Sequence, residues 1–318
     1  MRRAFFIVGP TATGKSELAA DVAGEIGAEI VSADAFQIYR GLDLLTAKPA
    51  ASTLAKAPHH LIGTAALNEE MNAEKYRCAA TRAIDEINSR GKLAIVVGGS
   101  GLYIKALTDG LAPLPEADPT LREQLTAMSL DELRSRLAQL DPEAGRTIDT
   151  KNRRRVVRAL EISLLTGKPA SEVVAAVGHA GRPGSSAFAK ATADKPTPAT
   201  GVFVFRDREE LYQRINQRVE AMFERGVIEE ACTAGATGAT ASQMIGVREI
   251  RELLDGKISL LQCIAEIQQA TRRYAKRQLT WFRRQTNFLP LNLSLLTHNE
   301  ARILLRQHSQ RRRVSGFA

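Results

Sequence analysis

The sequence lacks several features that mark membrane and secreted proteins. It has no run of eighteen apolar residues, so no membrane-spanning helix is predicted. Its three cysteines are widely spaced, which argues against a disulfide framework and favours a reducing, cytoplasmic location. The five histidines show no metal-ligand spacing, and the adjacent pair His59 and His60 is assigned to a loop. No internal repeat is present.

Positive charge is in excess, and it is concentrated. The 318 residues carry a formal net charge of +9. The stretch RRYAKRQLTWFRR (272–284) has six basic residues and no acidic one, and NRRRVVRALEI (152–162) has four arginines. Both stretches have helical patterns, and each presents a basic stripe that suits a polyanion or forms a solvated face. Trp281 and Phe282 are interpreted as core anchors in preference to base-stacking residues.

The order of apolar segments predicts an α/β fold. Short apolar runs at 4–8, 28–32 and 93–97 alternate with helical patterns, which predicts a parallel sheet with helices on both faces. After a proline-rich linker at 112–120 the pattern is helical, and the sheet resumes at Val202–Phe205. We therefore predict a core in two parts, 1–112 and 201–318, around an all-helical insertion at 113–200. Residues 178–200 lack large apolar side chains and are predicted to form a mobile loop. A monomer is expected, because no exposed apolar stripe is evident.

The first apolar run leads into a phosphate-binding motif. GPTATGKS (9–16) matches G-x-x-x-x-G-K-[ST] and lies between a predicted strand and a predicted helix, as in P-loop NTPases. Loop N–H groups and the helix N-terminus bind polyphosphate, the lysine adds charge, and the serine hydroxyl suits Mg²⁺. The motif predicts a nucleotide or diphosphate ligand without specifying the reaction. The residues assigned to this ligand are Gly9, Pro10, Thr11, Ala12, Thr13, Gly14, Lys15 and Ser16.

Polar residues follow the next two strands, where ligands collect in parallel sheets. Asp34 has three possible roles, which are metal binding, general base and helix cap. Gln37 suits either an adenine edge or a capping interaction. Ser100, after the glycine turn of the third strand, either caps a helix or points its hydroxyl at the substrate.

Taken together, these motifs resemble those of the tRNA dimethylallyltransferases. The resemblance runs in order from about residue 3 to residue 290. It rests on GPTATGKS, SADAFQIYRGLDLLTAKP, PHHLI, VVGGSGLYIKAL, DPTLR, RRRVVRALEI, MIGVREI and YAKRQLTWFRR.

The resemblance implies a reaction and its partners. Dimethylallyl diphosphate binds the loop with Mg²⁺, and an adenine next to the anticodon in the tRNA anticodon stem-loop is flipped into the enzyme. Its N6 then attacks the allylic carbon and diphosphate leaves. Asp34 matches the family's general base, Ser100 its threonine, and Arg122 a tRNA or substrate contact. The implied tRNA-binding residues are Asp34, Ala35, Phe36, Gln37, Ser100, Arg122, Arg153, Arg154, Arg155, Val156, Val157, Arg248, Lys276, Arg277 and Arg283.

The sequence departs from the family pattern at several positions. Ser100 keeps the hydroxyl of the usual threonine and loses its methyl group. Met244 and Val247 stand where alanine and tyrosine are usual, which puts one aromatic contact in doubt.

Two other functions fit part of the sequence. A small-molecule or nucleoside kinase would share the loop, the sheet and a helical insertion, but it would not need GGSGLY or two basic helices. A nucleic-acid-binding module with an inactive loop would bind RNA whether or not Lys15 was intact.

Overall fold

The computed structural model describes residues 4–111, 113–180, 200–235, 237–285 and 287–314. The chain divides into two compact units. Met1–Gly110 and Pro196–Ala318 form the first, which we call the core unit, and Leu111–Lys195 form the second, the helical unit.

The core unit is built on a parallel sheet. Six strands of the described residues pair in the order β3-β2-β4-β1-β5-β6, and every pair is parallel. The predicted α/β class with a parallel sheet is therefore confirmed. The strands are β1 (Ala4–Val8), β2 (Glu29–Ala33), β3 (His59–His60), β4 (Ala94–Gly98), β5 (Thr200–Phe205) and β6 (Phe288–Asn292).

Helices cover both faces of the sheet because successive strand side chains alternate between them. In β1, Phe6 and Val8 pack into one apolar cluster, while Phe5 and Ile7 pack into the other. The helices of this unit are α1 (Lys15–Ile26), α2 (Ala51–Leu54), α3 (Ala73–Ser89), α4 (Gly101–Thr108), α10 (Arg208–Glu224), α11 (Val227–Thr233), α12 (Val247–Leu254), α13 (Leu260–Phe282) and α14 (His298–Val314).

The helical unit has its own apolar core, formed around Leu133, Leu137, Val156 and Leu160. Its helices begin at strong caps. The Ser129 hydroxyl accepts the N–H of Glu132, and the Glu132 carboxylate accepts the N–H of Ser129. The helices are α5 (Pro119–Ala127), α6 (Leu130–Leu140), α7 (Pro142–Thr147), α8 (Arg153–Thr166) and α9 (Ala170–Ala180), and residues 113–180 contain no strand.

One local prediction was wrong. The predicted loop at His59–His60 is a short edge strand beside β2. There His60 bonds to the buried Glu29, whose pKa is about 2 because bonds from His60, Arg90 and Lys92 outweigh the effect of its burial. The mobile loop predicted at 178–200 stays a prediction, because residues 181–199 lie outside the described residues; α9 ends at Ala180 and β5 begins at Thr200. Within the described ranges, no helix combines the length and apolar character needed to span a bilayer.

The strand order determines where the site forms. Since β4 lies between β1 and β2, the segments that follow these three strands meet at one edge of the sheet. The N–H of Gly9 donates to Gly98 O (3.2 Å), and the N–H of Ser100 donates to Ala33 O (3.2 Å).

Candidate active site

The phosphate-binding loop joins β1 to α1. Gly9 is required by close packing, because a Cβ atom there would lie 2.1 Å from the carbonyl oxygen of Val204. Gly14 adopts a left-handed conformation (φ 90°) directly before α1. Thr13 is fully buried, and its hydroxyl donates to Pro10 O (3.0 Å), which closes the turn. Ala12 has a φ of 65°, so the loop holds a non-glycine residue in the left-handed region.

Four cationic side chains contact this loop. Lys15 Nζ donates to Pro10 O (3.2 Å). Three arginines reach the loop. Arg206, directly after β5, donates from Nε to Thr13 O (2.9 Å). From α10, Arg214 Nε donates to Ala12 O (2.9 Å) and Arg218 Nη1 to the Thr11 hydroxyl (2.8 Å). Sequence reasoning missed all three. The only sequence pattern that concerns any of them is the i, i+4 spacing of Arg214 and Arg218, which puts these two arginines on one face of α10.

Burial lowers the pKa of three of these cations, and the shift is largest for Lys15 and Arg218. Burial lowers the pKa of Lys15 to about 8, with Asp34 opposing the shift and Arg218 adding to it. Burial also lowers the pKa of Arg218 to about 10, and its Nε atom is buried without a hydrogen-bond partner among the described residues. A buried donor left unsatisfied in this way costs free energy. Both groups would therefore be stabilised by an anion bound at the loop.

Asp34 lies directly after β2, at the same edge of the sheet. Its Oδ1 atom accepts the N–H groups of Phe36 (2.9 Å) and Gln37 (3.3 Å), which fixes the carboxylate in a local turn. No described residue donates to Oδ2, so that oxygen is open to a ligand. Gln37 Nε2 donates to Ala47 O (3.0 Å) and Thr46 O (3.4 Å), so the Gln37 side chain is bonded to the backbone of residues 46–47.

Ser100 is the residue before α4, but its hydroxyl does not cap the helix. The Oγ atom instead accepts the N–H of Ala35 (2.9 Å), which ties the segment after β4 to the segment after β2. Only 9% of Ser100 is exposed. It therefore positions the Asp34 turn, and the side-chain cap considered from the sequence is not observed.

Two residues of α13 complete this edge, and sequence reasoning missed both. The buried Gln278 accepts the N–H of Thr11 (2.9 Å) and donates to Gly99 O (2.9 Å), so it links the phosphate-binding loop to the glycine turn. Burial raises the pKa of Tyr274 well above the usual value, and the neighbouring Ser100 and Gln278 oppose that shift. Trp281 packs on Gly101, where a Cβ atom would lie 2.6 Å from the indole ring. Trp281 and the buried Phe282 are thus packed, as the core-anchor interpretation predicts.

A cavity of about 60 Å³ lies beside the loop. Thr11, Asp34, Arg218 and Tyr274 line a polar part of its wall. The apolar part of the wall is lined by Leu45, Val219, Met222, Met244, Ile245 and Ile267. The cavity therefore combines a cationic end with an apolar end, and Asp34 lies in its wall.

The remaining predicted residues of the core unit lie on helix surfaces. Arg248 is exposed on α12 and bonds to Glu249 (2.8 Å). Arg277 lies over the Tyr274 ring at 5.7 Å from its centroid. We call the exposed residues Arg273, Lys276, Arg277, Arg283 and Arg284 the basic face of α13. Its opposite side buries Cys263, Ile267, Thr271, Ala275, Gln278 and Phe282.

In the helical unit, several predicted tRNA contacts have structural roles. Val156 and Val157 are buried in the core of the unit, and their assignment to the tRNA-binding stretch stays a prediction. Arg153 Nη2 donates to the carbonyl oxygens of Thr126 and Met128. Arg154 and Arg155 are exposed on α8.

Arg122 belongs to a partly exposed ion cluster around a buried carboxylate in the same unit. Its Nε and Nη2 atoms donate to the two carboxylate oxygens of the fully buried Glu161, at 2.6 and 2.7 Å. Arg158 donates to Glu161 (3.2 Å) and to Pro115 O (2.7 Å). The Arg158 guanidinium is therefore already bonded to Glu161 and Pro115, although a helical wheel places this residue on the solvated side of α8.

Comparisons with known proteins agree on one family. The family model described as IPP transferase matches residues 37–285. A tRNA dimethylallyltransferase of Geobacter sulfurreducens is 44% identical over 286 residues, covering 87% of this chain and 88% of that protein. The tRNA dimethylallyltransferase 1 of Citrifermentans bemidjiense is 43% identical over 285 residues, which cover 88% of each.

Solved structures give the same result. The tRNA isopentenylpyrophosphate transferase of Bacillus halodurans is 31% identical, covers 100% of both chains and superposes with a TM-score of 0.71. A eukaryotic dimethylallyltransferase acting on tRNA is 25% identical, with a TM-score of 0.70, over 91% of this chain and 74% of that one.

Proposed function

This chain belongs to the IPP transferase family, and we propose that it transfers a dimethylallyl group from dimethylallyl diphosphate to tRNA. The acceptor is the exocyclic N6 of the adenine on the 3′ side of the anticodon. The observation that carries the proposal is the cavity described above, which joins a cationic end to an apolar end and has Asp34 in its wall.

The two ends of the cavity match the two ends of the donor. The diphosphate would bind the loop, where Lys15 and Arg218 supply charge and the buried Arg218 Nε gains a partner. The dimethylallyl group would enter the apolar end. This places the ester bond between them, close to Asp34.

The chemistry then needs a leaving-group site and a base. N6 attacks the allylic carbon, a C–N bond forms, and the C–O bond to diphosphate breaks with its electron pair leaving on oxygen. Fixed cations and N–H donors stabilise the charge that develops on the diphosphate. Asp34 Oδ2 accepts the proton that N6 loses, a contribution of typically ~10²–10⁴-fold in rate.

Mg²⁺ is compatible with this site as a companion of the donor. Among the described residues, no three His, Cys, Asp or Glu side chains are grouped to hold a metal ion. Mg²⁺ usually binds through few protein ligands together with substrate phosphates. We propose that the hydroxyl of Ser16, in the first turn of α1, is its protein ligand. When bound, the ion would neutralise charge on the diphosphate.

The basic face of α13 supports a polyanionic substrate. Its five arginine and lysine residues are exposed, whereas a small acceptor would require no such surface. A protein that neutralises phosphates loses affinity as salt rises, with a slope of about −0.7 to −0.9 per contact in a log–log plot. We expect the double variant Lys276→Ala/Arg277→Ala to reduce that slope by about 2.

The proposal is tested with labelled dimethylallyl diphosphate and unmodified tRNA. The parent protein should transfer label to the adenine next to the anticodon. Asp34→Asn should lower kcat by roughly 10²–10⁴-fold and leave tRNA affinity unchanged. The matched control is Asp109→Asn, an exposed residue at the end of α4, which should transfer at the parent rate.

The outcomes separate the alternatives. If the parent protein transferred no label but phosphorylated a nucleoside from ATP, the kinase hypothesis would replace this one. If transfer occurred and Asp34→Asn matched the parent rate, the family assignment would stand and the assignment of Asp34 as base would be wrong.

A further inference from the structure

The apolar end of the cavity has a defined boundary. Val219 and Ile267 are 1% and 3% exposed, so these walls are parts of the core and not of an open groove. Leu45 packs closely against Gly246. A Cβ atom at Gly246 would lie 2.4 Å from Leu45 Cδ1, so Leu45 occupies the space that a larger residue at position 246 would fill.

Two methionines differ from these branched neighbours. Met222, near the end of α10, and Met244, before α12, are 8% and 3% exposed, and both line the cavity. Methionine is long, unbranched and flexible, so it extends into a cavity further than valine does and adapts to what is bound there. Removing either side chain would lengthen the cavity at its apolar end, because packed cores refill such space only partially.

We propose that Met222 and Met244 determine the length of the prenyl chain that the enzyme accepts, by closing the apolar end of the cavity behind a five-carbon group. The proposal rests on the function proposed above and concerns the same site. The bonds made and broken are those of dimethylallyl transfer, since a longer allylic diphosphate differs only beyond the fourth carbon. With a geranyl chain, five more carbons would have to occupy the space that the Met222 and Met244 side chains fill.

The unmodified protein gives the first test. Binding of non-hydrolysable thiolo-diphosphate analogues with dimethylallyl and geranyl chains is measured by calorimetry, with inorganic diphosphate as the reference. We expect the dimethylallyl analogue to bind at least tenfold more tightly than the geranyl analogue. Equal affinities would overturn the proposal, because they would show that the apolar end is not closed.

Variants give the second test. In Met244→Ala and Met222→Ala, the ratio of kcat/KM for geranyl diphosphate to that for dimethylallyl diphosphate should rise at least tenfold. Met244→Leu keeps the volume of the side chain and should keep the parent ratio. The matched control is Met71→Ala, which truncates a buried methionine of the same apolar cluster that does not line the cavity, and its ratio should stay within twofold of the parent.

Failure of this inference differs from failure of the proposed function. A parent protein that uses dimethylallyl diphosphate, with an unchanged ratio in both alanine variants, would refute the role of the methionines and leave the transferase intact. A parent protein that transfers neither chain to tRNA would refute the function itself.

Discussion

The buried charge of Lys15 lowers the stability of the free protein, and under the proposed function the same charge stabilises the bound diphosphate. Its pKa falls from 10.5 to about 8, so the folded protein holds the lysine proton more weakly than the unfolded chain does. One pKa unit corresponds to about 1.4 kcal/mol, so the charged lysine costs at most about 3 kcal/mol at pH 7. We expect about 1–3 kcal/mol, because the side chain is not completely enclosed.

The variant Lys15→Met removes this charge and keeps an unbranched apolar chain. At pH 7 the free variant should therefore resist urea better than the parent by about 1–3 kcal/mol. The parent should itself gain about 1 kcal/mol between pH 7 and pH 9, because the unfolded chain binds more protons than the folded protein above pH 8. In the Lys15→Met variant, residue 15 does not titrate and so should add no stability between pH 7 and pH 9. Inorganic diphosphate should stabilise the parent more than the variant, since the variant keeps the three loop arginines and lacks the lysine charge.

The assay is urea unfolding followed by Trp281, the single tryptophan of the sequence, which lies in the core unit. Lys105→Met, which removes an exposed lysine on α4, is the matched control and should unfold like the parent. The reasoning is refuted if Lys15→Met is no more stable than the parent at pH 7, or if the parent gains nothing from pH 7 to pH 9.

Three further predictions follow from individual contacts. Under the proposed function an anionic donor binds the protonated lysine, so kcat/KM should fall above pH 8. Lys15→Arg should move this decline to higher pH. A flat profile up to pH 9.5 would contradict the pKa of about 8 for Lys15. Glu161→Ala should lower the stability of the helical unit by roughly 2–3 kcal/mol in thermal unfolding, because it leaves Arg122 without its carboxylate. The exposed Asp131 is the control, and its alanine variant should leave unfolding nearly unchanged. Gly101→Ala should displace Trp281 and shift its fluorescence emission, and an unaltered spectrum would show that the contact at 2.6 Å relaxes without moving the ring.

The parts of the site that the sequence predicts are those formed by contiguous residues. Strand, glycine loop and helix follow one another in residues 4–26, so spacing alone locates Lys15. Asp34 and Ser100 are found because each directly follows an apolar run, and parallel strands bring such positions to one edge. Their roles remained open, because a carboxylate or hydroxyl after a strand can cap, bind or catalyse.

The parts that the sequence does not predict depend on contacts between distant segments. Arg218 meets Thr11 across 207 positions, and Gln278 meets the same residue across 267. Periodicity indicates which side of α10 or α13 is buried, but not which loop that side meets. In the helical unit, a helical wheel places Arg158 on the solvated side of α8. It does not reveal that this arginine donates hydrogen bonds to Glu161 and Pro115.

Under the proposed function, the cavity also gives a reason why this phosphate-binding loop would suit a prenyl donor better than a nucleotide. A nucleotide bound by its terminal phosphates carries a ribose whose hydroxyl groups need hydrogen-bond partners when they are buried. Beside this loop the wall passes within a few residues from Arg218 to the apolar Val219 and Met222, which offer no such partners. An apolar group joined to the diphosphate leaves no polar atom unsatisfied there. The same cations that hold the diphosphate in the donor hold it as it departs, so binding and leaving-group stabilisation use one set of contacts.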